Sequence, residues 1–106
     1  MSYFNSKGLR ISRRNGYAFS EGKVIPMNIG EAVRNRIINL CLERAISVNK
    51  LSNMSGVTQS TVNNIVNGRN NSATISTIKK LCDGLDITIK DFFNDVLFDD
   101  LEQEIK

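Results

Sequence analysis

The sequence predicts an all-α fold, a bundle of five short helices within residues 27–95 of this 106-residue chain. Apolar residues recur there at intervals of three and four, the spacing that places them on one side of a helix. Because five apolar stripes can bury one another, the pattern indicates one helical domain.

The first helix is predicted over 29–44, where the apolar residues fall on one stripe. These residues are Ile29, Val33, Ile37, Leu40 and Cys41. The opposite side of the same helix is polar, with Arg34, Asn35, Asn39 and Glu43. One side of this helix is therefore expected to face the core.

Two very short helices follow, over 48–54 and 59–66, separated by a Ser-Gly-Val-Thr turn. Ser47 and Thr58 are predicted N-caps, since a hydroxyl oxygen there can accept a hydrogen bond from a first-turn N–H. Gly56 can adopt the positive φ that ends the earlier helix. Helices joined this tightly must cross steeply, with Val57 in the angle between them, so the segment predicts a helix-turn-helix.

The second helix of that pair carries amides and hydroxyls where exposed helices usually carry Lys and Glu. Its apolar stripe is Val62, Ile65 and Val66. The other face presents Gln59, Ser60, Asn63, Asn64 and Asn67. Asn and Gln can pair with adenine in the major groove, and Ser can reach bases or phosphates, so this face is suited to reading DNA. The alternative is a polar, solvated face without a specific ligand.

After a polar loop over 68–73, a fourth helix is predicted over 75–83. Thr74 is its expected N-cap and Gly84 its expected end. A fifth helix is predicted to begin at Thr88 or Ile89 and to place Phe92 and Phe93 in the core.

Residues 27–95 resemble the Xre-type helix-turn-helix transcriptional regulators, to which phage Cro and repressor proteins belong. The resemblance rests on the motifs S-V-N-K-L-S, G-V-T-Q-S-T-V-N-N-I, N-G-R and L-D-I-T-I-K-D-F-F. It implies a lambda-repressor-like five-helix domain whose third helix enters the major groove. It further implies base reading by Gln59, Ser60, Asn63 and Asn64. Contacts to the DNA backbone are implied for Thr58, Asn67, Arg69, Asn70 and Asn71.

The net charge of +3 is unevenly distributed. Residues 1–26 carry +4, residues 27–80 carry +5, and residues 81–106 carry −6. Such polarity would orient the protein on DNA and make its affinity fall with salt. The alternative for the acidic end is a simple solubilising tail.

Residues 1–26 form a basic extension outside the resemblance, and Asn15-Gly16 within it is a hairpin signal. One hypothesis is an arm that reaches along DNA. The other is that Met27 is the natural start, because the resemblance begins there and 21–24 can be encoded by a purine-rich string like a bacterial ribosome-binding site.

The tail over 96–106 is predicted to be helical and acidic, with an apolar ridge. The ridge consists of Val96, Leu97, Phe98, Leu101 and Ile105. Two explanations stay open: the ridge folds back on its own bundle, or it forms the seam of a homodimer.

The functional hypothesis is a sequence-specific transcriptional regulator, a cytoplasmic repressor that binds double-stranded DNA. The alternative is the antitoxin of a toxin–antitoxin pair, whose tail covers a protein partner. An enzyme is disfavoured because the chain has no His, no paired carboxylates in a plausible cleft and no Gly-rich phosphate loop.

Neither a cofactor nor a metal is expected, since Cys41 and Cys82 are isolated and read best as buried thiols. A membrane partner is not expected, because no run of eighteen apolar residues exists. Free thiols and the lack of an apolar leader favour the cytoplasm.

Overall fold

The computed structural model describes the backbone of residues 2–4, 10–14, 17–20, 23–25 and 27–105, and the side chains of 27–105. Five α-helices follow one another in the described chain: α1 (Ile29–Glu43), α2 (Val48–Ser55), α3 (Gln59–Val66), α4 (Ile75–Leu85) and α5 (Ile89–Phe93). A 3₁₀ helix over Val96–Phe98 comes after α5. The prediction of an all-α, five-helix domain is confirmed.

Each of the five helices begins at a polar N-cap residue, and these caps explain where the helices start. The hydroxyl of Ser47 accepts a hydrogen bond from Lys50 N at 3.0 Å, and that of Thr74 accepts one from Thr77 N at 3.1 Å. Gly56 ends α2 with a φ of 67°. These caps form where the sequence predicts them, because each depends only on residues within one helical turn.

The predicted end of α4 at Gly84 is wrong. Gly84 lies inside the helix, and Asp86 closes it in the left-handed conformation with a φ of 57°. A Cβ atom at position 84 would lie 3.0 Å from the backbone carbon of Met54 and from Cα of Ser55. The glycine therefore permits the close approach of α4 to α2.

All five helices contribute to one core. Its members with no exposed surface include Ile37, Leu51, Val62, Leu81 and Phe92. They come in order from α1, α2, α3, α4 and α5, so each predicted apolar stripe packs against the others.

Three of the four residues on the predicted polar side of α1 are also buried, and Glu43 is exposed. Arg34, Asn35 and Asn39 each expose 3% of their surface or less. Nδ2 of Asn35 donates to the carbonyl of Glu31 at 2.9 Å, so this side-chain amide bonds to the backbone of its own helix. Burial lowers the pKa of Arg34, and the charge of Glu31 partly offsets this. The first helix is thus enclosed on more sides than its apolar stripe alone indicates.

The C-terminal tail folds back onto the bundle. Leu97 is fully buried with Met27 and Ala32, and Leu101 pairs with Met27 as an isolated parallel bridge. The amide of Glu102 donates to the carbonyl of Met27 at 2.7 Å. Of the predicted helical tail, the described residues 96–105 contain only the 3₁₀ turn over Val96–Phe98. Of the two explanations for the ridge, the structure shows the fold-back for Leu97 and Leu101.

The N-terminal extension forms an antiparallel meander of four strands in sequence order: β1 (Ser2–Phe4), β2 (Arg10–Arg14), β3 (Tyr17–Ser20) and β4 (Lys23–Ile25). Arg14 lies opposite Tyr17 in the β2–β3 pair, as the Asn15-Gly16 signal predicts. The two turn residues themselves lie outside the described part of the chain. The outer strands were not predicted.

Candidate nucleic-acid interface

Two hydrogen bonds in opposite directions between Ser52 and Val57 hold the turn between α2 and α3. The amide of Val57 donates to the carbonyl of Ser52 at 3.3 Å, and the hydroxyl of Ser52 donates to the carbonyl of Val57. Ser52 is 3% exposed and Val57 is half-buried, so this reciprocal pair is partly buried. Because Val57 directly precedes the cap of α3, the pair fixes the direction in which α3 leaves the turn.

Helix α3 has one anchored face and one open face. Val62 and Ile65 are buried in the core and hold the helix against the bundle. Gln59 and Ser60, in its first turn, are exposed, whereas Asn64 is half-buried. Asn63 is half-buried as well, and Asn67 at the end of α3 is exposed. The structure thus brings the predicted base-reading side chains together on a side of α3 that is not packed inward.

Thr58 is committed to capping. Its hydroxyl donates to Oγ1 of Thr61 at 2.8 Å and accepts from the amide of Thr61 at 3.3 Å. The hydroxyl proton of Thr58 is therefore already used within the protein. Apart from the amide of Thr61, the first-turn N–H groups of α3 have no intrahelical partner, and they are the donors that this end of α3 offers to an anion.

The loop after α3 is held against the end of that helix. The amides of Arg69 and Asn70 both donate to the carbonyl of Asn64, each at 2.9 Å. Gly68 makes the turn possible with a φ of 79°. Oδ1 of Asn70 accepts from the amide of Ser72 at 2.8 Å, which leaves the side-chain NH₂ of Asn70 as its donor.

The same loop rests on the start of α1. A Cβ atom at Gly30 would lie 2.7 Å from Cβ of Asn71 and 2.8 Å from its carbonyl oxygen. Arg69 and Asn71 are exposed, whereas Asn70 is half-buried. The loop is therefore a packed structure that displays a cation and amides beside the end of α3. Sequence reasoning missed the role of Gly30, because its partner lies some forty positions away.

The charge near this surface is smaller than the sequence suggests. Of the seven cations in residues 27–80, Arg34 is buried and Arg36 forms an ion pair with Asp95 at 3.2 Å. Lys79 pairs with Asp83 one turn away, and hydrogen bonding to that carboxylate raises the pKa of Lys79. The remaining four are exposed, as Lys79 also is: Arg44, Lys50, Arg69 and Lys80.

The two thiols belong to the core. Cys41 and Cys82 are free and buried, and burial raises the pKa of each. Within the described residues, no group of three His, Cys, Asp or Glu side chains could hold a metal ion. No helix among those residues is long and apolar enough to cross a membrane.

Comparison with known proteins gives matches that cover most of the helical region. The family of Cro/C1-type helix-turn-helix DNA-binding domains matches residues 36–97. The solved structure of the prophage Lp1 protein 11 is 32% identical, with a TM-score of 0.62 over 71% of this chain and 99% of that one. The restriction-modification controller protein C.Esp1396I has a TM-score of 0.61 at 20% identity, over 72% of this chain and 96% of its own, and supports the fold alone. No curated protein sequence matches the chain.

Proposed function

Because the chain belongs to the Cro/C1-type helix-turn-helix DNA-binding family, we propose that this transcriptional regulator is a sequence-specific repressor that reads the major groove with α3. The observation that carries the proposal is the open face of α3. Gln59 and Ser60 project from the first turn of a helix that Val62 and Ile65 anchor in the core. In helix-turn-helix proteins, residues at the start of this helix contact base edges.

Base discrimination is assigned to the side chains of that face. The amide of Gln59 could pair bidentately with an adenine, and Asn64 offers the same chemistry farther along the helix. Ser60 can donate to or accept from a base edge. Asn63 is a further candidate, because it is half-buried and retains part of its surface.

Register on the duplex is assigned to groups that contact phosphates. Arg69 supplies a cation from the loop, and Asn70 and Asn71 supply amide donors beside it. Asn67 lies at the end of α3 and the Thr58 cap lies at its start, where the free N–H groups favour an anion. Such contacts fix position and carry no sequence information directly.

We further propose that the protein acts in the cytoplasm as a homodimer. Two copies of α3 separated by about 34 Å, one turn of B-DNA, could occupy two half-sites of a palindromic operator. Sedimentation of the protein with and without DNA measures this stoichiometry. A complex that holds one protomer per operator would refute the dimer.

The test of base reading begins with selection of bound sites from random DNA. Gln59→Ala should lose about 1 to 3 kcal/mol of discrimination at one base position, whereas Arg69→Ala should weaken all sequences alike. Gln103→Ala is the matched control, since Gln103 is an exposed amide in the tail. If Gln59→Ala leaves relative affinities among operator variants unchanged, the assignment is wrong.

The antitoxin alternative depends on an available tail. Leu97 is fully buried and Leu101 pairs with Met27, so these two members of the apolar ridge already have partners in the bundle. Val96 is 41% exposed and Ile105 is 91% exposed. We therefore favour the repressor. Stoichiometric co-purification of a small basic protein from the native host would favour the antitoxin.

A further inference from the structure

A cavity of about 360 Å³ lies beneath the loop that follows α3. Its apolar walls come from four helices, with Val33 of α1, Ile65 of α3, Ile78 of α4 and Phe93 of α5. Ile75 stands at the cavity with 70% of its surface exposed, which is high for a large apolar side chain. The volume falls within the range of about 300 to 1,000 Å³ found for small-molecule sites.

The polar groups around this cavity are few. Asn70, Asn71 and Ser72 line it from the loop, and Glu104 lines it from the tail. Among the described lining residues, Glu104 is the one that ionises. An apolar chamber with a small number of polar groups on one part of its lining is typical of sites for organic ligands. Because the described lining contains this single carboxylate, such a ligand should carry a positive charge.

We propose that this cavity binds a small organic amine with an apolar body. The hydrocarbon part would lie against Val33, Ile65 and Ile78, and the ammonium group would face Glu104. An apolar cavity of about 150 Å³ is known to hold benzene, so a cavity of this size suits a phenyl ring with a short alkyl chain. The ligand site would thus lie within the helical domain itself, between α1, α3, α4 and α5.

The cavity is positioned to affect the DNA interface. Ile65 belongs to α3 itself, and Asn70 and Asn71 belong to the loop that we assign to phosphate contacts. A ligand against these groups would push the loop away from the start of α1, where Asn71 now packs on Gly30. We therefore expect the ligand to weaken operator binding. This coupling rests on the proposed function, whereas ligand binding itself does not.

The first experiment titrates the full chain with phenylbutylamine and follows side-chain methyl resonances by NMR. Saturable shifts are expected at Val33, Ile65 and Ile78. Phenylbutanol, a neutral isostere, should bind roughly threefold more weakly, because an exposed ion pair contributes little. Glu104→Gln should remove that preference, and Asp100→Asn, a matched exposed acid in the tail, should leave it intact. Non-saturable shifts, or an unchanged preference in Glu104→Gln, would overturn the proposal.

Two variants test the location of the ligand. Ala73→Leu fills the cavity from its lining and should abolish saturable shifts for both compounds. Ile75→Trp blocks the cavity from an exposed position, so its fold should survive even if Ala73→Leu unfolds the protein. Undiminished binding of phenylbutylamine to a folded Ile75→Trp variant would place the ligand elsewhere.

The last measurement is operator affinity with and without saturating phenylbutylamine. Adding phenylbutylamine should lower the operator affinity of the wild type at least threefold. It should leave the operator affinity of Ile75→Trp unchanged. Ligand binding without any change in operator affinity would refute the coupling alone. Failure to select an operator would refute the proposed function and leave the NMR result standing.

Discussion

Arg36 joins α1 to the end of α5, and its removal should be costly. Its Nε donates to the carbonyl of Phe92 at 2.7 Å, and its Nη2 donates to that of Asp91 at 2.9 Å. Its Nη1 lies 3.2 Å from a carboxylate oxygen of Asp95. A single guanidinium thus satisfies two carbonyls at a helix C-terminus and neutralises the acid that caps the following 3₁₀ turn.

The magnitude follows from these contacts. A hydrogen bond to a charged group contributes about 1.5 to 3 kcal/mol, and breaking a buried ion pair costs about 3 to 5 kcal/mol. The side chains of Arg36 and Asp95 are 11% and 15% exposed, so some water screens the pair. Arg36→Met keeps most of the apolar packing and loses all three bonds. We expect it to lower the free energy of unfolding by about 3 kcal/mol.

Asp95→Asn separates the ion pair from the carbonyl bonds. The amide oxygen can still accept from the amide of Leu97, as the carboxylate does now at 2.9 Å. Because both main-chain bonds of Arg36 remain, the loss should be only about 1 kcal/mol.

Urea unfolding followed by far-UV circular dichroism measures both variants. Lys90→Met is the control, since Lys90 is an exposed cation of α5. It should change the unfolding free energy by less than about 0.5 kcal/mol. The reasoning fails if Arg36→Met is as stable as the wild type. It also fails if Asp95→Asn costs as much as Arg36→Met, because the carbonyl bonds would then contribute nothing.

Three further predictions follow from close contacts, burial and charge. Gly84→Ala should lower the unfolding free energy by about 1 to 3 kcal/mol, since its Cβ would meet the backbone of α2, and a gain in urea midpoint would contradict this. Burial raises the pKa of Cys41 and Cys82, so the unfolded thiols ionise first. The unfolding free energy should therefore fall as pH rises above about 8.5, and a double Cys→Ala variant should lack that fall in urea titrations across pH. Glu102→Gln combined with Glu104→Gln should tighten DNA binding at low salt only, because both acids lie beside Asn71, and equal effects at all salt concentrations would exclude an electrostatic cause.

The helix starts could be predicted because their causes are local. Ser47, Thr58 and Thr74 each bond to an amide three positions ahead, so the residue types alone locate the caps. The prediction that α4 ends at Gly84 was wrong because it, too, used only local signals. A glycine near the end of an apolar repeat indicates a C-cap, and nothing within its own helix reveals that α2 passes within contact distance.

Longer-range features could not be predicted from spacing. Arg36 bonds to carbonyls 55 and 56 positions away, and its place on α1 gives no sign of those partners. The cavity has the same origin, because its lining combines α1, α3, α4, α5 and the tail. For the candidate interface, the side chains of α3 that the sequence singles out lie on its outward side, and their base-reading role stays a prediction. The packing of the loop onto Gly30 required the structure.

The exposed charge limits how the domain can bind DNA. Five cations in residues 27–80 are exposed, Lys79 among them, and could neutralise at most five phosphates per protomer. Residues 27–80 alone should therefore give a salt slope no steeper than about −4.5 for each bound protomer. The basic extension carries five further cations. A steeper slope in the full chain would mean that residues 1–26 contact phosphates, as an arm would. If the slope stays within this limit, the affinity would depend on the free N–H groups at the start of α3 and on its side-chain amides. Contacts of those amides to bases depend less on salt.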